Sequence, residues 1–304
     1  MTVLSGLIPV FALLGLGVAV RRVGLLSGEA ANGLNRLVAN VALPALLLLK
    51  VGTSPLEKNF SPVLMAVCAG VVVAVAGAAW WLAAAWRLPR RQLGVFAQAA
   101  TRGNLAYVGF PVILAAYGDT GLRLAAVTAA TLFPVMNFLG VAALEAARGE
   151  RESLGRLLLR VLRNPLVASS LLGLGLAAFG WQPWGWLGST LQILSDFALP
   201  GALLALGAQL SLEVWHDLWK PAVAVSVLKV AVQPAIALVA LRALGMTPLE
   251  TAVGVLLMAA PTAIASYPVA AELGGDTDLA GACVVATTIA ALPAYAILSL
   301  LLTG

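Results

Sequence analysis

Apolar runs of about membrane length, separated by short polar connections, fill the chain from end to end. A helix needs about 20 apolar residues to cross a bilayer. Ten runs qualify, at roughly 3–20, 33–50, 61–86, 92–117, 121–146, 164–180, 187–210, 220–243, 249–273 and 278–303. The pattern predicts an all-α polytopic membrane protein with ten transmembrane helices. The fourth run departs from the rest: between Gln98 and Gly118 it carries Gly103, Gly109 and Pro111, with Arg102, Asn104 and Tyr107 among them. Proline deletes a backbone hydrogen bond and clashes with the preceding turn, and glycine tolerates the torsions of an unwound segment. Unpaired amides and carbonyls facing lipid cost several kcal/mol per group. A broken helix at this depth is therefore expected to be buried in protein or to line a wet cavity.

The same device recurs in the second half. Phe110-Pro111-Val112 returns 157 positions later as Tyr267-Pro268-Val269, and Gly118-Asp119-Thr120 returns at the same offset as Gly275-Asp276-Thr277. Leu13-Leu14-Gly15-Leu16-Gly17 matches Leu171-Leu172-Gly173-Leu174-Gly175, and Ala42-Leu43-Pro44 matches Ala198-Leu199-Pro200, at offsets of 158 and 156. Near-constant offsets predict two five-helix repeats, 1–147 and 164–304, joined by a basic linker at 148–163. Five is odd, so the second repeat starts on the opposite side of the membrane and the two are inverted. Corresponding broken helices in two inverted halves are a sequence pointer to a transporter's binding site. In the ninth run, Pro261 and Pro268 lie seven residues apart with Thr262, Ser266 and Tyr267 between them, which no regular helix accommodates.

Apolar residues make up 61% of the 304, charged residues only 10%, and the mean hydropathy is +0.99, which excludes an ordinary soluble domain. The net charge of +5 is scattered between apolar runs, so it speaks of membrane orientation and not of nucleic acid. With the N-terminus outside, Arg21, Arg22, Arg36, Arg87, Arg90, Arg91, Arg148, Arg151, Arg156, Arg160, Arg163 and Lys220 fall on the cytoplasmic side. Only Lys50, Lys58, Arg123 and Arg242 fall on the other. The asymmetry predicts a multi-pass cell-membrane (inner-membrane) protein with both termini outside. The linker reads either as a solvated loop or as a surface for anionic lipid. Leu4 to Val20 reads as a retained first helix, since no basic residue precedes it and no small-residue cleavage site follows. Cys68 and Cys283 sit far apart inside apolar runs, and the single histidine, His216, lies in a polar connection. The sequence thus offers neither a disulfide framework nor a metal site, and no cofactor is expected.

Several polar side chains at membrane depth could carry chemistry. Lys229 lies well inside the eighth run with Gln233 one turn on, and a lysine at a helix centre costs about 3 kcal/mol on insertion scales. It could neutralise a substrate anion, pair with a carboxylate, lose its proton when the site is empty, or snorkel to the interface. Arg102 poses the same choice. Asn104 donates and accepts, Tyr107 offers a hydroxyl, and a half-helix starting beyond Gly109 and Pro111 would present a positive dipole end to an anion. Thr262 and Ser266 either face a ligand or bond to their own preceding turn. Asn137 and Thr131 are candidates for packing between helices as much as for substrate contact. Asp196 sits at the repeat position of Asn40, four residues before a proline, where it could compensate a freed carbonyl, titrate, or pair with Lys229. Glu145, Glu272, Asp119, Asp276 and Asp278 lie near the ends of runs, so no acidic pair marks a sodium or proton site.

These segments resemble the auxin efflux carrier family, whose bacterial members include proteins named malate and malonate permeases. The carrying residues are Leu34 to Pro44, Gly103-Asn104 to Gly109-Phe110-Pro111, and Ala260-Pro261-Thr262-Ala263 to Ser266-Tyr267-Pro268. The resemblance covers nearly the whole chain. It implies two inverted five-helix repeats with helices 4 and 9 crossing, a fold related to bile-acid sodium symporters and sodium/proton antiporters, and movement by an elevator mechanism. It further implies a scaffold of helices 1, 2, 6 and 7, through which members form homodimers, and a mobile domain of helices 3–5 and 8–10. Asn104 and Pro111 match the crossover in the fourth helix, and Pro261 to Pro268 its partner in the ninth. Unlike the plant members, this chain has a short central loop, so control through phosphorylation of a long loop is not expected.

The expected function is secondary transport of small organic anions, with proton coupling, sodium coupling and uniport all left open. No GxxxxGK[ST] motif supports nucleotide-driven pumping. An intramembrane enzyme would need a nucleophile with a base, or a metal, at depth. A sensor or structural protein would have little use for duplicated broken helices.

Overall fold

The chain is helical because its long apolar segments have no way of satisfying backbone groups in lipid other than internally. A computed structural model describes residues 3–149, 153–210 and 218–303. His216 and Arg151 lie outside the described residues. In order, the helices are α1 (Val3–Arg22), α2 (Gly28–Leu37), α3 (Leu43–Gly52), the short α4 (Leu56–Asn59), α5 (Pro62–Ala85), α6 (Arg90–Thr101) and α7 (Phe110–Arg148). They continue as α8 (Leu154–Leu162), α9 (Pro165–Ala178), α10 (Gly185–Gln209), α11 (Trp219–Val227), α12 (Gln233–Ala243), α13 (Pro248–Met258), α14 (Ser266–Glu272) and α15 (Thr277–Thr303). Among the described residues, six helical segments have the length and hydropathy to cross a membrane, or seven if α8 and α9, bent by 76°, count as one. No strand occurs among the described residues; one isolated antiparallel bridge joins Gly103 to Thr262.

Local chemistry sets several boundaries. α5, α9 and α13 each begin with proline at the first helical position behind a polar cap: Ser61 accepts from the Leu64 amide, Asn164 from the Leu166 amide, and Thr247 from the Glu250 amide. Proline there gives up no helical bond, and the cap satisfies an otherwise orphaned amide. Three π-turns, Val38–Ala42, Leu105–Gly109 and Leu228–Val232, end two residues before Pro44, Pro111 and Pro234. In each, the residue before the proline donates to the carbonyl five positions back: Leu43 to Val38, Phe110 to Leu105 and Gln233 to Leu228. The wider turn lets the helix continue past a residue that has no amide to give. α7 is kinked at Gly118, whose φ of 62° and ψ of −160° favour glycine.

α1 runs along α10, and α3 along both α9 and α10. Small residues make the closest contacts: a Cβ on Gly207 would collide with the Leu14 carbonyl oxygen and lie 3.1 Å from Gly17 Cα, and one on Gly173 would lie 3.0 Å from Val51 Cβ. Gly207→Val must therefore push α1 and α10 apart. It is expected to lower stability by about 1–3 kcal/mol, read as a lower melting temperature in detergent.

The kink at Gly118 is tied to the end of α3. Asp119 accepts from Lys50 Nζ at 2.5 Å and from Arg123 Nε at 2.7 Å, and Arg123 also donates to Thr53 Oγ1 at 2.9 Å. Partial burial pushes the Asp119 carboxyl up, but the hydrogen bonds and charges of Lys50 and Arg123 outweigh it and hold the group below its ordinary value. Its contribution to stability is thus present above the ordinary carboxylate range and lost as the pH falls through the lowered native value. Because Asp119 is half exposed, Asp119→Asn is expected to cost about 1 kcal/mol or less and to flatten that acid-side loss in a melting series against pH.

The described part of the basic connection at 148–163 is largely exposed but helical. Most of it is α8, because Leu157 and Val161, four residues apart, pack against the protein and order one helical face.

Candidate functional site

Two interrupted helical segments, α6 with the first arm of α7 and α13 with α14, meet where each loses its helix. After Thr101 the chain runs extended through Arg102, and after Ala259 through Pro261 to Ala263. Buried backbone groups outside a helix must find other partners, and here each break supplies the other. The Asn104 amide donates to the Pro261 carbonyl at 2.7 Å, and the Ala263 amide donates to the Arg102 carbonyl at 2.9 Å. The Thr262 amide donates to Thr287 Oγ1 of α15 at 2.9 Å, and the Thr262 hydroxyl donates to the Ala99 carbonyl at 2.8 Å. Thr262 therefore braces the crossing and does not bond to its own preceding turn. Thr262→Val would leave the Ala99 carbonyl unpaired, so a loss of about 1–2 kcal/mol is expected, visible in the melting temperature.

Two basic side chains converge on this crossing. Lys229 comes from the π-turn between α11 and α12 and is wholly buried, at 0% exposure. Its Nζ donates to Gln233 Oε1 at 2.6 Å and approaches Gly103 so closely that a Cβ there would lie 3.1 Å from it. Neither snorkelling nor a carboxylate partner describes it. Arg102 is also buried; Nη2 donates to Asn137 Oδ1 at 3.0 Å and Nη1 to the Ala265 carbonyl at 3.4 Å. Asn137 in turn donates to the Phe133 carbonyl. Gly140 makes room for this arrangement, since a Cβ there would lie 2.7 Å from Arg102 Cδ. Among the described residues, Lys229 and Arg102 are the buried basic side chains, and no aspartate or glutamate is buried with them.

Several buried polar atoms nearby have no protein partner: both amide atoms of Gln98, Asn104 Nδ2, Gln233 Nε2 and Ser266 Oγ. Native interiors leave few such groups, because each costs about 1–3 kcal/mol.

The structure thus brings Arg102, Asn104, Asn137, Lys229, Pro261, Thr262 and Ser266 to one region and leaves other candidates aside. Tyr107 donates its hydroxyl to Asn35 Oδ1 at 2.8 Å, tying the break to α2. Gly109 and Pro111 lie in continuous helix, since the π-turn absorbs the proline and the chain opens earlier, at Arg102–Asn104. A Cβ on Gly109 would make only ordinary contact with Leu257 and Ala260. Pro268 sits in the first turn of α14, where a missing amide costs little. Asp196 accepts from Gln192 Nε2 at 2.6 Å on an exposed face and does not reach Lys229. Gln98, one turn before Arg102, was open to sequence reasoning as a polar residue in an apolar run. Thr287 was not, because nothing local links it to a segment 25 residues away. Among the described residues, no three His, Cys, Asp or Glu side chains gather where they could hold a metal ion.

The chain matches the family described as Membrane transport protein over residues 2–139 and 141–299. A protein of Methanothermobacter thermautotrophicus named "Uncharacterized transporter" is 29% identical over 304 residues, spanning 99% of this chain and 97% of the relative. One of Rhizobium meliloti named "Putative malonate transporter" is 26% identical over 302 residues, spanning 95% and 92%. This multi-pass membrane protein is a transporter and not an enzyme, and it belongs to the Membrane transport protein family, the auxin efflux carriers that its two broken segments resemble.

Proposed function

We propose that the protein is a secondary carrier of small organic anions, carboxylates above all, bound where the two breaks cross. The observation that carries this reading is the imbalance at the crossing: two buried basic side chains, no buried carboxylate, and four side chains with unpaired polar atoms. Removing a charge from water is costly unless an opposite charge accompanies it, and a bound carboxylate would supply both the charge and the missing acceptors. A relative named for malonate points to the same chemical class.

In this reading, the interrupted and bent segments complete ten crossings in two inverted five-helix repeats. The scaffold is α1, α2 with α3, α9 and α10, packed on one another and pairing with a second copy. The remaining helices form a domain that slides as an elevator and carries the crossing with it. The lysine and arginine asymmetry supports insertion in the cell membrane with both termini outside.

The test is uptake of labelled malonate and other mono- and dicarboxylates into vesicles reconstituted with the purified protein. Saturable uptake above protein-free vesicles is expected, and an imposed proton or sodium gradient separates the two couplings and uniport. Absence of flux for every carboxylate would overturn the reading.

A further inference from the structure

We infer that the protein holds an anionic phospholipid by its phosphate, in a basic cavity formed by α6, α7 and the connection that follows α14, beside the amphipathic helix α8. The cavity has a volume of about 250 Å³ and is lined by Arg90, Arg91 and Arg148, with Gly94, Leu144 and Gly274 among its other walls. It lies at the end of the helices, more than two turns of α6 away from the crossing at Arg102. Arg91 is fixed by donating from Nε to the Gly274 carbonyl at 3.1 Å, and Arg160 of α8 reaches Glu272 of α14 at 3.6 Å, so α8 is held beside the cavity.

The chemistry of α8 identifies the occupant as a lipid. Leu157 and Val161 face the protein, while Leu154, Leu158, Leu159 and Leu162 are exposed, and Arg156 and Arg163 occupy the remaining side. A helix bent 76° from the following segment, apolar on an exposed face and basic on the next, is built to lie in the membrane interface. The leucines offer a surface to acyl chains next to a cavity whose arginines suit a phosphate. Basic residues in such positions attract anionic headgroups, each strengthening binding about five-fold.

The experiment strips the full-length protein of lipid in detergent, adds phosphatidylcholine with or without phosphatidylglycerol, and counts retained lipids by native mass spectrometry. Wild type is expected to retain phosphatidylglycerol over phosphatidylcholine. Arg90→Gln, at an exposed position, should weaken retention about five-fold, and Arg90→Gln with Arg148→Gln about 25-fold. Arg242→Gln, on a different helix away from the cavity, should leave it unchanged. Equal retention by wild type and the double variant would overturn the proposal. So would an increase in melting temperature with inorganic phosphate as large as that with phosphatidylglycerol, which would mark a site for free anions.

Discussion

Replacing Lys229 by glutamine is expected to weaken carboxylate binding by about 2 kcal/mol or more, roughly 30-fold, while leaving the melting temperature of the empty protein unchanged or raised. The two halves of this result have one cause. In the empty protein the Lys229 amine has a single acceptor, Gln233, and no carboxylate, so the fold gains little from its charge and bears the cost of burying it. A glutamine can keep the bond to Gln233 without that cost. With an anion present the same basic group becomes the partner that pulls substrate out of water, and its loss falls on affinity. Titration of the purified variant with malonate, beside its thermal melt, reads both. A Lys229 that served only to hold the helices together would show the reverse, with lower stability and unchanged affinity.

Asn104→Ala separates binding from folding in a second way. The main chain of Asn104 joins the breaks through its amide on Pro261, and alanine preserves that bond. The side-chain Nδ2 is buried without a partner, so removing it relieves an unpaired donor and is expected to cost no stability. If that donor serves the substrate, affinity should fall by about 1–2 kcal/mol, some five- to thirty-fold. The measurement is the same titration, with folding checked by gel filtration and melting temperature.

The helical segments were legible because length and apolar content suffice to specify them. The two interrupted segments were legible because proline, glycine and polar residues at membrane depth have few uses. The identity of the opening was less so. Gly103, Gly109 and Pro111 together mark an interruption, but a proline's effect depends on whether the preceding turn can widen, and the π-turn at Leu105–Gly109 does, leaving the opening at Arg102–Asn104. The same device at Pro234 places Lys229, and locally only a lysine five residues before a proline hints at it. Tyr107 and Asp196 show a different limit: a hydroxyl or carboxylate can be recognised as polar and buried or exposed, but its partner is chosen by packing. Tyr107 finds Asn35 across 72 residues, and Asp196 finds Gln192 on its own helix. Arg102 was recognisable as a candidate, yet its bond to Asn137 depends on the space left at Gly140 on another helix.

Binding of an anion between the two breaks, as proposed, can be read directly. Anomalous diffraction from a crystal of the protein with a bromine-substituted malonate locates that anion without reference to activity. The proposed binding at the crossing predicts a bromine peak there, with the carboxylates within hydrogen-bonding reach of Asn104 and of Lys229 or Arg102. A peak confined to the basic cavity at Arg90 and Arg148, or to the outer surface with the crossing empty, would contradict it.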